Sequence, residues 1–282
     1  MTDPPALPNR TARPAQLRVA TLNLLNDLGR WPERSPLIVE GLRALEPHVI
    51  ALQEVSLEID NARWICDALG GYTAHVSSGT GHRVGREGLA LLTTLPADGH
   101  EVLPFGAQGR IAQRLNVYTG SLQWTIANAH LHFSVYDDYT RQTQARQLLD
   151  WVPETEGPAV VCGDFNALPH YRAVATMLER FASAQSAHFG RERFTTFPTG
   201  LDRGPTVRNR ARDLGLRALG RVLGQQGDHW RATVDYIFVD RRLRVLDCSV
   251  ALHRSSPHDH ALYASDHAAL YVDVEWPYAV DA

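Results

Sequence analysis

Residues 158–162 form an apolar run, and Gly163-Asp164-Phe165-Asn166 follows it at once. Side chains alternate along a strand, so Asp164 and Asn166 at its mouth are expected to point the same way. A carboxylate there can hold an ion or orient a nucleophile, and an amide beside it can donate to an oxyanion. Taken alone, the tetrapeptide equally describes a strand ending in an Asp/Asn turn. Other strand-like runs end on, or carry, reactive residues of the same kind. Residues 17–21 lead to Asn23, residues 48–52 to Gln53-Glu54-Val55, and residues 124–128 to His130. Residues 233–239 carry Asp235, and Ser265-Asp266-His267 precedes the apolar stretch 268–274. Glu54 is a hard oxygen ligand suited to Mg²⁺ or Mn²⁺, ions that keep several waters and need one or two carboxylates. A histidine such as His267 can take a proton from water near neutral pH.

The elements that must carry these residues alternate between strands, helices and hairpins, with no internal repeat. Helical spacing of apolar residues predicts helices over 31–45, 59–69, 139–152 and 170–181. Residues 86–94, 100–104, 110–119 and 121–129 read as successive strands with a turn at Gly120; 233–239, 245–252 and 268–275 add three more. This order predicts two mixed sheets packed face to face with helices outside, an α+β fold of four layers, α/β/β/α. Every reactive residue falls near a strand end, so all can converge on one edge of the sandwich.

The stretches TLN (21–23), LQEV (52–55), EGLALLT (87–93), NAHL (128–131), GDFN (163–166), VDYIF (234–238) and SDH (265–267) occur in that order. In this the chain resembles the endonuclease/exonuclease/phosphatase superfamily, the deoxyribonuclease I-like metal-dependent phosphoesterases. The resemblance implies a divalent-metal hydrolase cutting phosphodiester bonds by in-line attack of an activated water. It makes Glu54 the principal ligand of Mg²⁺, with Mn²⁺ the alternative, and sets Asn23 and Asp266 nearby. His267 becomes the general base or phosphate-side partner, oriented by Asp235. Asp164 positions the water, Asn166 contacts a phosphate oxygen, and His130 donates to the phosphoryl group from the opposite side. Glu87 matches the acid that pairs with this histidine in the deoxyribonuclease I branch, where a carboxylate favours imidazolium. Arg110 and Arg114 both stand where the family often carries a phosphate-contacting arginine; the sequence does not choose between them.

The chain has 282 residues, 44% of them hydrophobic, enough for one large core. Its expected limits are a Pro-rich disordered leader over 1–16, a catalytic domain over 17–276 and a tail over 277–282. Net charge is −3 and pI about 6.5, which argues against coating nucleic acid by bulk charge but leaves room for a local basic groove. The expected partner is a phosphodiester, nucleic acid included, with no membrane insertion and no oligomeric state implied. All 28 basic residues are arginine, so P-loop or Schiff-base lysine chemistry is excluded. The lysine-containing motifs of the phosphoinositide branch are excluded with it, and His130 departs from the abasic-site endonuclease pattern. A phosphomonoesterase, a lipid-head-group phosphodiesterase and a silent phosphate-binding module remain as alternatives. Cys66, Cys162 and Cys248 have no metal spacing, which points to a reducing, cytoplasmic setting.

Residues 202–229 interrupt the pattern with six arginines. Over 210–224, Leu216, Leu219 and Leu223 would line one helical face, with Arg210, Arg217 and Arg221 on another. The segment reads either as a solvated surface helix or as a basic lid over an anionic substrate. His132 lies one alternation step beyond His130, and the loop 253–260 is rich in histidine, but no third zinc ligand stands at a recognisable spacing.

Overall fold

Most strands are apolar on both faces, which requires cover on both sides of each sheet. The computed structural model describes residues 15–134, 136–204, 206–222 and 230–278. The strands are β1 (Ala15–Asn23), β2 (Val49–Ser56), β3 (Thr73–Ser78), β4 (Glu87–Thr93), β5 (Ala97–Pro104), β6 (Ile111–Thr119), β7 (Leu122–His130), β8 (Ala159–Asp164), β9 (Phe181–Ser183), β10 (Asp235–Asp240), β11 (Arg244–Ala251) and β12 (Ala269–Trp276). They make two six-stranded sheets, ordered β11-β12-β1-β2-β4-β3 and β5-β6-β7-β8-β10-β9. Between the sheets lie Leu17, Val19, Ala51 and Leu91 from the first and Leu115, Ile126, Val160 and Ile237 from the second, around the fully buried Trp124.

Helices α1 (Trp31–Leu45) and α2 (Asn61–Leu69) cover the outer face of the first sheet, where Ile38, Leu42 and Ile65 meet Leu22, Ile50 and Leu52. Helices α3 (Asp138–Trp151) and α4 (Arg172–Met177) cover the second, packing Ala145, Leu148 and Val174 on Ala127 and Val161. The two short or peripheral helices are α5 (Ala184–Phe189) and α6 (Val207–Val222). The four-layer α/β/β/α arrangement is therefore the one the sequence predicts. No helix among the described residues is long and apolar enough to cross a membrane.

Three local expectations change. Strand β3 escapes the pattern because it is an edge strand with one buried residue, Ser77. The helix expected over 170–181 stops at Met177, because Phe181 and Ala182 pair with β10 instead. Strand β1 begins at Ala15, two residues before the expected domain start. Residues 1–14 of the expected leader, 223–229 of the basic segment with Leu223, and 279–282 lie outside the described residues, as does the Leu219 side chain.

A polar tie crosses the sandwich just below the reactive edge. Gln53 Nε2 donates to Thr21 Oγ1 at 2.9 Å and to Asn128 Oδ1 of the opposite sheet at 2.7 Å. Asn128 Nδ2 donates back to the carbonyls of Leu52 and Ala90. Those carbonyls border a bulge: β2 and β4 pair Leu52 with Ala90 and then Val55 with Gly88, leaving one extra residue in β2. Asn128→Ala takes the amide donor away from the Leu52 and Ala90 carbonyls, and a buried polar group left unpaired costs about 1–3 kcal/mol. Urea unfolding should show a loss in that range or above; a loss under about 0.5 kcal/mol would mean the tie is not a stabilising element.

Candidate active site

Parallel pairing of β1 with β2 and of β7 with β8 brings four C-terminal strand ends to one edge. Strands β4, β10 and β12 run antiparallel to these neighbours and start at the same edge. Asn23, Glu54, His130, Asp164, Asp235, Glu87 and His267 consequently meet there, the first sheet supplying one wall and the second the other. Gly163 permits the approach: its φ is +137°, and a Cβ would lie 2.0 Å from the Ala129 carbonyl oxygen of β7.

Asp164 and Asp235 are directly opposed between β8 and β10. His267 Nδ1 contacts Asp235 Oδ2 at 2.9 Å, and ligand atoms of Asp164, Asp235 and His267 lie within 4.8 Å of one another. This is a candidate metal or proton-transfer cluster, and all three residues are buried. Burial, then the Asp235 charge, push the Asp164 carboxyl up, against the pull of His267 and of bonds from Asn166 N and Asn23 Nδ2. Burial lowers the His267 imidazole, but the charge and hydrogen bond of Asp235, helped by Asp164 and Glu54, outweigh it and leave its pKa raised. With Nδ1–H given to Asp235, the neutral ring keeps Nε2 as its acceptor.

His130 is held in the opposite way. Arg110 Nη1 stands 2.6 Å from His130 Nδ1 and 3.0 Å from Glu87 Oε1. A guanidinium only donates, so Nδ1 accepts and the proton sits on Nε2, 3.4 Å from Asp164 Oδ2. Burial, then Arg110 and Arg83, take the pKa of His130 well below its ordinary value. The expected Glu87–His130 pair is thus replaced by a relay with Arg110 in the middle, and His130 is kept neutral rather than cationic. Arg83 grips the other oxygen of Glu87, whose own pKa is raised by burial and by Glu54.

Glu54 occupies the extra position of the β2 bulge, with a left-handed φ of +53°. Its Oε2 accepts from Asn26 N at 2.9 Å, and its Oε1 from Asn23 Nδ2 at 3.3 Å. Burial pushes its pKa up, but the Asn26 amide, Arg110, His267 and Asn23 hold it below the ordinary value. Asn23 Nδ2 also reaches Asp164 Oδ2 at 3.0 Å, while its oxygen caps Leu25 N. Asn23 therefore presents N–H rather than a ligand oxygen, and orients the Glu54 carboxylate.

Three expected site residues stand elsewhere or are otherwise engaged. Arg114 bonds Glu101 and the Trp151 carbonyl and stacks on the Trp151 ring, so of the two arginines it is Arg110 that stands in the cleft. Asp266, expected beside the metal, is buried but gives its Oδ2 to Arg203 and, at 3.1 Å, to Arg212. Asn166 lies past the strand end at φ +48°, so period-two alternation does not aim it; its Nδ2 reaches the Leu131 carbonyl at 3.3 Å. Outside the cleft, His132 meets Asp137 at 3.4 Å. The loop 253–260 contributes no group of three metal-ligating residues among those described.

Sequence reasoning missed Arg34, which runs from α1 under the site. It donates to the carbonyls of Leu24, Leu25, Asp27 and Ala264, fixing the loops that follow Asn23 and precede His267. A lone arginine in an amphipathic helix carries no signal of that role.

Comparison with known proteins agrees with this geometry. The model of the Endonuclease/Exonuclease/phosphatase family matches residues 20–279. Nocturnin of Rattus norvegicus is 26% identical over 277 residues, covering 86% of the chain but only 58% of its own length. The human Nocturnin catalytic domain with bound sulfate superposes at TM-score 0.66 with 23% identity, covering 92% of this chain and 94% of that one. D. rerio TDP2 complexed with a single-strand DNA product superposes at 0.72 with 15% identity, covering 92% and 99%. At those identities the superpositions speak to the fold alone.

Proposed function

The chain belongs to the endonuclease/exonuclease/phosphatase family of phosphoesterase hydrolases, and from that premise we propose that it cleaves phosphodiesters, nucleic-acid strands or nucleotides among them, by attack of water at phosphorus. The observation that carries the reading is the pair of histidines on two sides of Asp164, shifted in opposite directions and holding their ring protons on opposite nitrogens. His267, aligned by Asp235, takes the proton of the attacking water at Nε2. Asp164 fixes that water. Neutral His130 turns its Nε2–H from Asp164 to a phosphoryl oxygen, and Arg110 adds positive charge beside it. Asn166 has one amide hydrogen left for the same group.

The family depends on a divalent metal, and the donor set fits one. Glu54 is kept ionised, its carboxylate shares the Asn23 amide with Asp164, and no thiolate stands in the cleft. Glu54 would hold Mg²⁺ or Mn²⁺, oriented by Asn23, with Asp266 left to its two arginines. The ion would neutralise phosphate charge and polarise the water. A panel of single- and double-stranded DNA, RNA, phospholipid and cyclic nucleotide, assayed with Mg²⁺ and Mn²⁺, tests the substrate class. Absence of turnover on all of these and on bis(4-nitrophenyl) phosphate would overturn the reading.

The pH profile supplies a sharper check. His267 works as a base only when deprotonated, and its pKa is raised, so the acid limb of kcat/KM should lie above the ordinary histidine value near 6.5. Asp235 is what stabilises the imidazolium. Asp235→Asn removes that support, burial then dominates, and the limb should move to lower pH while the plateau falls. A limb that stays in place would assign it to another group.

A further inference from the structure

We propose that Arg203 and Arg212, gathered on Asp266 at the rim of the cleft, form a subsite for a second phosphate group on the substrate. The inference rests on the phosphoesterase reading and deepens it: the preferred substrate carries one phosphate at His130 and His267 and another here.

Three observations carry it. First, two guanidiniums converge on the Oδ2 atom of one buried carboxylate, so positive charge exceeds negative at that point. Second, Arg203 Nε is buried and has no hydrogen-bond partner, which leaves a charged donor unsatisfied in a place water scarcely reaches. Third, Arg212 and Asp266 border a cavity of about 340 Å³, lined also by Thr199, Leu216, Arg217, Asp202 and Asp213. Two further acids line the same cavity. Asp202 turns to cap Gly204 N at 2.7 Å, and Asp213 lies 3.8 Å from Arg212 with its side chain 43% exposed. Burial and then the neighbouring Arg212 lower the pKa of Arg203 to about 10, the direction expected for cations crowded without enough counter-charge.

The subsite is tied to the reacting centre by one aromatic ring. The Phe197 ring lies 4.7 Å from the His267 ring, and Arg212 sits 5.5 Å over Phe197. Asp266 and His267 are consecutive, so the arginine pair and the imidazole are anchored on adjacent residues. Among the described side chains of the 202–229 segment, Arg203 and Arg212 are the arginines that reach Asp266. Arg210 and Arg221, on the face the sequence singled out, are exposed.

Calorimetric binding to the intact chain tests this without depending on turnover. Thymidine 3′,5′-bisphosphate should bind at least about tenfold tighter than thymidine 5′-monophosphate, as a charge-assisted arginine–phosphate contact requires. The dinucleotide pdTpdT, whose second phosphate is an internal diester, separates the next phosphate of a strand from a terminal monoester. Preference for either ligand that collapses to a ratio near one in Arg203→Gln/Arg212→Gln supports the subsite. No preference in the native chain, or one that survives in the variant, overturns it. If the double variant does not fold, Arg212→Gln alone decides, since it leaves Arg203 on Asp266: its ratio should fall below the native one, and an unaltered ratio overturns the proposal. Failure to hydrolyse bis(4-nitrophenyl) phosphate would count against the phosphoesterase reading and leave these binding ratios readable.

Discussion

His267→Ala is expected to lower kcat on bis(4-nitrophenyl) phosphate by about 10²–10⁴-fold at saturating metal, the range a positioned acid or base contributes. The ring is buried, hydrogen-bonded to Asp235 and close to Asp164, so its removal deletes the proton acceptor without touching the packed strands. Asp235→Ala should cost a comparable factor, because its carboxylate bonds the imidazole it aligns. The double variant is the more telling measurement. Two groups that work as one unit give grossly non-additive effects, so His267→Ala/Asp235→Ala should be about as slow as the worse single variant. Multiplied losses in the double variant would show that Asp235 has a separate task. Unchanged far-ultraviolet circular dichroism keeps the comparison to chemistry.

Glu54→Gln should weaken divalent-ion binding by at least the 10–100-fold typical of residues one shell further out. The substitution conserves shape and can still accept from Asn26 N, so the loss reports charge rather than collapse. Mn²⁺ titration followed by calorimetry gives the affinity, and activation curves with Mg²⁺ and Mn²⁺ give its kinetic counterpart. Full turnover of the native chain in excess chelator, or a native metal curve in the variant, would remove Glu54 from the metal site.

Much of this architecture is legible locally. Runs such as 158–162 announce buried strands, and their polar terminal residues announce a shared edge, because strand direction and alternation are properties of a few residues. What is not legible is pairing across the fold. Arg110 stands between Glu87 and His130, 23 and 20 residues away in sequence, and no local pattern marks it as the intermediary. Asp266 reads as a ligand beside the histidine until Arg203 and Arg212, 63 and 54 residues away, claim its oxygen. LQEV reads as uninterrupted strand, although it contains the bulge that turns Glu54 into the cleft. Asn128 looks like one more motif residue, yet it fills the gap that the bulge opens.

The backbone at Glu54 sets a conflict between endurance and use. A residue other than glycine in the left-handed region costs about 1–3 kcal/mol, and glycine or asparagine there costs less. Selection for heat resistance alone would therefore favour glycine or asparagine at residue 54 and enrich folded chains that have lost their metal carboxylate. A mutational library of this protein sorted only by survival on heating would rank inert molecules above working ones at this position, and only a catalytic screen run alongside would keep the glutamate.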